Sequence, residues 1–350
     1  QKDFKKFHPS GSLGSKLKSV GDLMLTGKKI PFIKETDTMR KAFNIITKKN
    51  LGTLIVINNK NQTTGIITDG QIRRKTQKID NIFNKKNRKI FVVAEMSANH
   101  SSNIKNAYKI IDQAKNIGVD AIKIQLYKAN KITINSKKKD FKIKNLNWKK
   151  YNNLYNLYKK AETPYAWYDN LKRYCSKKKI ILFSSVFDLE TVDFLEKKNC
   201  PIYKIASPEI TDIPLLAKVA KTRKPIIIST GLATEKDLDL AIKTLKKNKC
   251  KKIVVLKCTS SYPATTEELN LSAIKKIKKK YKTIVGFSDH SLDKIAPSVA
   301  ISLGAKVIEK HINLEKNVKS VDNFFSMNIP DFKEMIKNIR ETEKMLGNEK

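Results

Sequence analysis

No stretch of this chain approaches the ~20 consecutive apolar residues that crossing a membrane requires. Its first residues, Gln1-Lys2-Asp3-Phe4, carry no apolar signal core. The expectation is a cytoplasmic protein with no membrane partner. The four cysteines, Cys175, Cys200, Cys250 and Cys258, form no C-x-x-C pair, which argues for reduced thiols rather than a disulfide framework or a thiolate metal site. Arginine is scarce: seven of 72 basic residues are Arg and the rest are Lys. Arg is the side chain suited to bidentate reading of phosphates and bases. The net charge of +39 is therefore read as a Lys-rich solvated surface, with no nucleic-acid partner. A general attraction to anionic substrates survives that reading.

What is present is a 350-residue chain that is 40% hydrophobic, which suits one large core and a small module. The polar, basic stretch DNIFNKKNR at 80–88 divides it. Ahead of that stretch, residues 37–49 show the apolar spacing of an amphipathic helix. Residues 54–57 and 65–67 read as strands, with a turn at 58–61. Beyond it, eight short apolar runs recur at 90–94, 121–124, 180–183, 202–205, 225–228, 253–256, 283–285 and 306–308, with helical stretches between them. Alternating strands and helices indicate a parallel sheet. Eight units over residues 90–347 match the ~250 residues of a (β/α)8 barrel. An open doubly wound sheet is the alternative, but its usual Gly-rich phosphate loop is missing from Ala94-Glu95-Met96-Ser97.

Barrel chemistry sits where the strands end, and each run here leads into polar or ionisable residues. These include Glu95, Asn99 and His100; Lys123 and Gln125; Ser184 and Ser185; Lys204, Ser207 and Glu209; Ser229 and Gly231; Lys257, Cys258 and Tyr262; Ser288, Asp289 and His290; and Glu309, Lys310 and His311. Lysines inside apolar strands are costly unless paired, so Lys123 and Lys204 stand out as an anion pocket with Ser207 and Ser229. His290 and His311 end adjacent strands, and two such imidazoles can hold one divalent ion with positions left for water or substrate.

The motifs FVVAEMSANH (91–100), DAIKIQLY (120–127), YKIASPEITD (203–212), IISTGLAT (227–234), LKCTSSYPA (256–264), GFSDHSLD (286–293) and VIEKH (307–311) together resemble the sialic-acid synthase family. Residues 132–144, ETPYAWY at 162–168 and KSVDNFFSM at 319–327 are similar to its pseudaminic acid synthase branch. The resemblance implies a (β/α)8 barrel. It also implies a condensation of phosphoenolpyruvate with an N-acetylated amino sugar, of the 2,4-diacetamido-trideoxyhexose type, giving a nine-carbon nonulosonic acid and phosphate. N-acetylneuraminate or legionaminate synthesis is the near alternative. A non-catalytic barrel with a regulatory arm is the alternative of another class. Carried over by motif, His290 and His311 correspond to ligands of Mn²⁺ or Mg²⁺. Glu95, Glu209 and Lys123 correspond to catalytic residues, and Gln125, Lys204, Ser207, Ser229, Tyr262, Asp289 and Asp322 to substrate-side residues. The family implies a homodimer. Its usual C-terminal antifreeze-like domain is not expected within residues that stop at Lys350.

HPSGSLGSKLKSVGDLM at 8–24 and LGTLIVINNKNQTTGIITDGQIRR at 51–74 resemble the CBS region of arabinose-5-phosphate isomerases and the junction before it. The expected organisation is a remnant linker at 1–17, a single CBS-like repeat at 18–79, a linker at 80–89 and the barrel at 90–347. An adenine nucleotide at the repeat, with Thr68 and Asp69 as ribose contacts, is the associated ligand expectation.

Overall fold

A computed structural model describes residues 25–37, 39–49, 52–68, 89–315 and 320–347. The chain forms two compact units, Gln1–Ile79 and Asp80–Lys350. The expected linker at 1–17, Asp69 and most of the linker at 80–89 lie outside the described residues.

In the first unit, strands β1 (Phe32–Lys34), β2 (Thr53–Ile57) and β3 (Thr63–Thr68) form a three-stranded sheet. β1 runs parallel and β3 antiparallel to β2. The β2–β3 turn is held by Asn58, whose Oδ1 accepts from the backbone N–H groups of Lys60 and Gln62, an Asx arrangement that suits Asn to a tight turn. Helix α1 (Met39–Lys49) follows β1. Ile33, Ala42, Ile46 and Leu54 form the small core. The expected helix and two strands are present; β1, only three residues long, is too short to show a period.

The second unit is a closed barrel. Strands β4 (Phe91–Glu95), β5 (Ala121–Gln125), β6 (Ile181–Ser185), β7 (Tyr203–Ile205), β8 (Ile226–Ser229), β9 (Ile253–Cys258), β10 (Ile284–Asp289) and β11 (Val307–Asn313) pair in chain order, all parallel. The β10–β11 and β11–β4 pairings close the ring. Amphipathic helices pack outside: α2 (Ile104–Asn116) buries Ala107, Ile110, Ile111 and Ala114 on one stripe. The final helix, Ile329–Leu346, buries Phe332, Met335, Ile336 and Ile339. Its Arg340 donates to the Ile90 carbonyl and pairs with Asp120, fastening the start of β4. One glycine is required by the packing: a Cβ on Gly286 would lie 2.4 Å from the Val307 carbonyl oxygen of the next strand.

Strand registers decide which side chains enter the barrel, because facing residues on parallel strands share a face. Glu95 lies opposite Lys123 on one side and His311 on the other; Gln125 opposite Ser185; Ser185 opposite Lys204; Cys258 opposite Ser288; and Ser288 opposite Glu309. These residues therefore form one inward-facing set at the C-terminal ends of the strands.

Candidate active site

The centre of the set is a triad of charges. Lys123 Nζ lies 2.5 Å from Glu95 Oε2 and 3.0 Å from Glu309 Oε1, and all three residues are buried. Lys204 Nζ stands 3.6 Å from the same Glu309 oxygen, and Ser288 donates to it at 3.1 Å. Burial opposes charge on Glu309, but Lys123 and Lys204 outweigh it and hold the carboxyl well below its ordinary range. Glu95 is driven the other way, chiefly by burial, against the pull of Lys123. Burial also lifts Glu209, in the turn after β7, to about 7, where a carboxyl can exchange a proton near neutral pH. Glu309 was not assigned a role from the sequence. The signal was its place two residues before His311 on one strand, hence on the same face.

Around the triad lies a small-residue cradle. The Gly231 N–H donates to Ser207 Oγ at 2.9 Å. A Cβ at Gly231 would stand 2.2 Å from Ser260 Oγ and 2.8 Å from Ser207 Oγ, so only glycine fits without displacing those hydroxyls.

His290 and His311 stand with ring centroids 5.5 Å apart. His290 Nδ1 donates to the Thr259 carbonyl at 2.8 Å, which leaves the lone pair on Nε2. His311 Nδ1 is buried without a hydrogen-bond partner, 3.9 Å from Asp322 Oδ2. The donor set fits a divalent cation: one imidazole is oriented by a backbone carbonyl and the other holds an unused nitrogen. Among the described residues no group of three or more His, Cys, Asp or Glu side chains stands at metal-binding spacing. Tyr262 lies over His290 at 4.3 Å between centroids and Phe325 against His311 at 4.8 Å. Asp322 Oδ2 also accepts from the Ala98 N–H at 3.3 Å.

The remaining expected residues divide. Gln125 ends β5 on the inward face, and Ser229 Oγ is buried with no partner. Asp289 is placed elsewhere. Its register partner is Lys310, on the outer face of the same strands, and its carboxylate is engaged by Lys310 and by the Ser291 N–H and hydroxyl. His100, the third histidine at the strand ends, is likewise structural. Its ring bonds Thr163 Oγ1 at 3.0 Å and accepts from the Ser102 N–H at 3.1 Å, with Trp167 edge-on at 5.3 Å. All four cysteines are free and buried; Cys258 Sγ lies 3.9 Å from His290 Nδ1. Among the described residues no helix is long and apolar enough to cross a membrane.

Residues 110–350 match the NeuB family and residues 20–78 the CBS domain. The chain is 44% identical over 263 residues to the pseudaminic acid synthase of Campylobacter jejuni, covering 75% of this chain and 76% of that protein. It is 40% identical over 258 residues to the pseudaminic acid synthase of Helicobacter pylori, covering 74% and 76%. The solved structure of the N-acetylneuraminic acid synthetase of Leptospira borgpetersenii superposes with a TM-score of 0.68 at 30% identity, covering 75% of this chain and 86% of that one.

Proposed function

This chain belongs to the NeuB family, and from that premise we propose that it condenses phosphoenolpyruvate with an open-chain N-acetylated amino sugar of the 2,4-diacetamido-trideoxyhexose type. The products are a nine-carbon acid of the pseudaminic type and inorganic phosphate. One observation carries the assignment of the site. Of nine buried side-chain polar atoms without a hydrogen-bond partner among the described residues, five, Glu95 Oε2 (ion-paired with Lys123), Glu209 Oε2, Ser229 Oγ, Glu309 Oε2 and His311 Nδ1, belong to the C-terminal ends of the barrel strands or the turn after one. Buried polar groups are ordinarily satisfied, so this grouping supports reading the strand ends as the place that receives a polar ligand.

In the reaction C3 of phosphoenolpyruvate forms a bond to the aldehyde carbon, whose oxygen takes up a proton. Water adds at C2, and the tetrahedral carbon then expels phosphate to leave a ketone. Lys123 and Lys204 hold the carboxylate and phosphate of phosphoenolpyruvate, with Ser207 and Ser229 as further hydrogen-bond donors around Gly231. They stabilise negative charge in a dry site where such interactions are strong. Glu209 and Glu95, both raised by burial, exchange the protons of the aldehyde oxygen and the attacking water. Gln125, Tyr262 and Asp322 line the sugar side. His290 and His311 would hold Mn²⁺ or Mg²⁺, which supplies Lewis-acid polarisation of the aldehyde. A homodimer, an adenine nucleotide at the CBS module and a cytoplasmic location are supported by family likeness alone.

The test is incubation with phosphoenolpyruvate, Mn²⁺ and a panel of amino sugars, with products read by mass. A nine-carbon acid from a 2,4-diacetamido-trideoxyhexose, lost in His290→Ala and Glu95→Gln, is the expected result. Unchanged turnover in both variants overturns the site, and a product only from another sugar overturns the substrate.

A further inference from the structure

We infer that Trp148 is a positioning residue for the histidine pair, acting through Tyr262 and Phe325. The inference rests on the reading of His290 and His311 as ligands. Trp148 lies in the long connection between β5 and the helix Tyr168–Lys177, on a 3-10 turn spanning Leu146–Tyr151. That connection does not stay beside its own strand. Trp148, Ile143, Tyr151 and Ala161 pack on a cluster containing Ala98, from the turn after β4, and Val321, from the segment after β11. The indole Nε1–H donates to the Val321 carbonyl at 2.7 Å, which pins the ring in place. From there its ring centroid lies 5.4 Å from Phe324, 6.2 Å from Phe325 and 6.3 Å from Tyr262.

The next layer is the pair of imidazoles. Tyr262 rests on His290 and Phe325 on both His311 and Tyr262, at 4.3, 4.8 and 4.9 Å between centroids. Metal-ligating imidazoles are normally oriented by a hydrogen bond on the second ring nitrogen. His290 has one, to Thr259. Among the described residues no hydrogen bond holds the His311 ring, and its Nδ1 is unpartnered. Its orientation therefore depends on packing against Phe325, and Trp148 stands behind Phe325. Edge-to-face aromatic contacts have preferred geometries, so a pinned indole restrains the rings stacked on it. The same layer packs aromatic surface against both imidazoles.

The test measures Mn²⁺ binding to the full chain from the electron paramagnetic resonance signal of free Mn²⁺, alongside separate KM values for the two substrates. Trp148→Ala is expected to weaken Mn²⁺ binding ~10-fold, the scale of losing a ligand's supporting residue. It should also raise KM for the amino sugar and leave KM for phosphoenolpyruvate within about 2-fold. Trp148→Phe should restore both values. A folded Trp148→Ala protein with native Mn²⁺ affinity and native sugar KM overturns the inference, as does an equal rise in both KM values that Trp148→Phe fails to correct. Should Trp148→Ala not fold, the native protein carries the test. Bound Mn²⁺ must quench a fraction of the tryptophan emission that is missing in Trp148→Phe, and an unquenched signal overturns the inference. His311→Ala separates the two levels: if native Mn²⁺ binding survives it, the ligand reading fails, whereas loss in His311→Ala with none in Trp148→Ala defeats only the role of Trp148.

Discussion

The barrel carries two buried charge clusters on opposite faces of β11, and they are built to different standards. On the outer face Lys310 is paired with Asp289, and its ammonium also bonds the carbonyls of Ser291 and Asp293, while Asp289 is further bonded by Ser291. On the inner face Glu309 shares Lys123 with Glu95 and still leaves Oε2 without a partner. Both clusters pair lysine with carboxylates and both use β11, the inner one drawing its other charges from β4, β5 and β7. A saturated cluster closes on itself, whereas an unsaturated one, buried at a cost, has capacity reserved for a ligand. The histidines repeat the contrast: both His100 nitrogens are bonded, and His311 keeps one free.

The largest effect expected is at the inner face. Lys123→Met should lower turnover by at least about 10³-fold, since it removes the cation paired with both acids, where the proposed reaction develops negative charge. Its stability should suffer less, because Glu95 can take up a proton and Lys204 remains beside Glu309. Steady-state kinetics and a melting curve on the same sample check both halves. A variant that unfolds while retaining activity per folded molecule breaks the comparison.

The outer face should answer in reverse. Lys310→Met strands a buried carboxylate and should cost about 3–5 kcal/mol of stability, the usual penalty for breaking a buried pair. Replacing Asp289 by Leu in the same chain should recover most of it. Chemical denaturation measures the difference. If the single variant is as stable as the native chain, the saturated pair is not the structural fastening described.

Much of this was legible in the sequence, for physical reasons. All eight barrel strands coincide with apolar runs, because strands covered on both faces need continuous apolar sequence. Their ends were not legible: β6, β9, β10 and β11 extend to Ser185, Cys258, Asp289 and Asn313, past the apolar runs, since these last residues are not apolar, whether they face the site as Ser185 and Cys258 do or the outer side as Asp289 does. The side of the sheet taken by Asp289 was lost for the same reason. Only the register with Lys310 reveals it. Trp148 carried no signal, because its role depends on a connection that folds back over the strand ends rather than on any local period.

The acid response of His100 sharpens the comparison among histidines. Burial lowers its pKa from 6.5 to about 4, so the neutral ring belongs to the folded state. Its contribution is complete above about pH 6.5 and is lost as pH falls toward 4, the unfolded chain binding the extra proton over that window. The shift corresponds to about 3 kcal/mol. His100→Gln should remove that part of the acid sensitivity, read as the difference between the two denaturation-versus-pH curves. Parallel curves would place His100 with the unsaturated group.

The smallest effect expected separates the two substrates within the inner face. In Gly231→Ala the methyl would meet Ser260 Oγ at 2.2 Å and Ser207 Oγ at 2.8 Å. Both contacts are with hydroxyls that can rotate, so the fold should tolerate the change. The cradle should not, because the Gly231 N–H bond to Ser207 holds the hydroxyl that the methyl displaces. KM for phosphoenolpyruvate should rise about 10-fold, equivalent to ~1.4 kcal/mol of binding, with KM for the amino sugar unchanged. A rise confined to the sugar would mean that the cradle holds the acceptor and that the lysines, rather than the serines, define the phosphoenolpyruvate side.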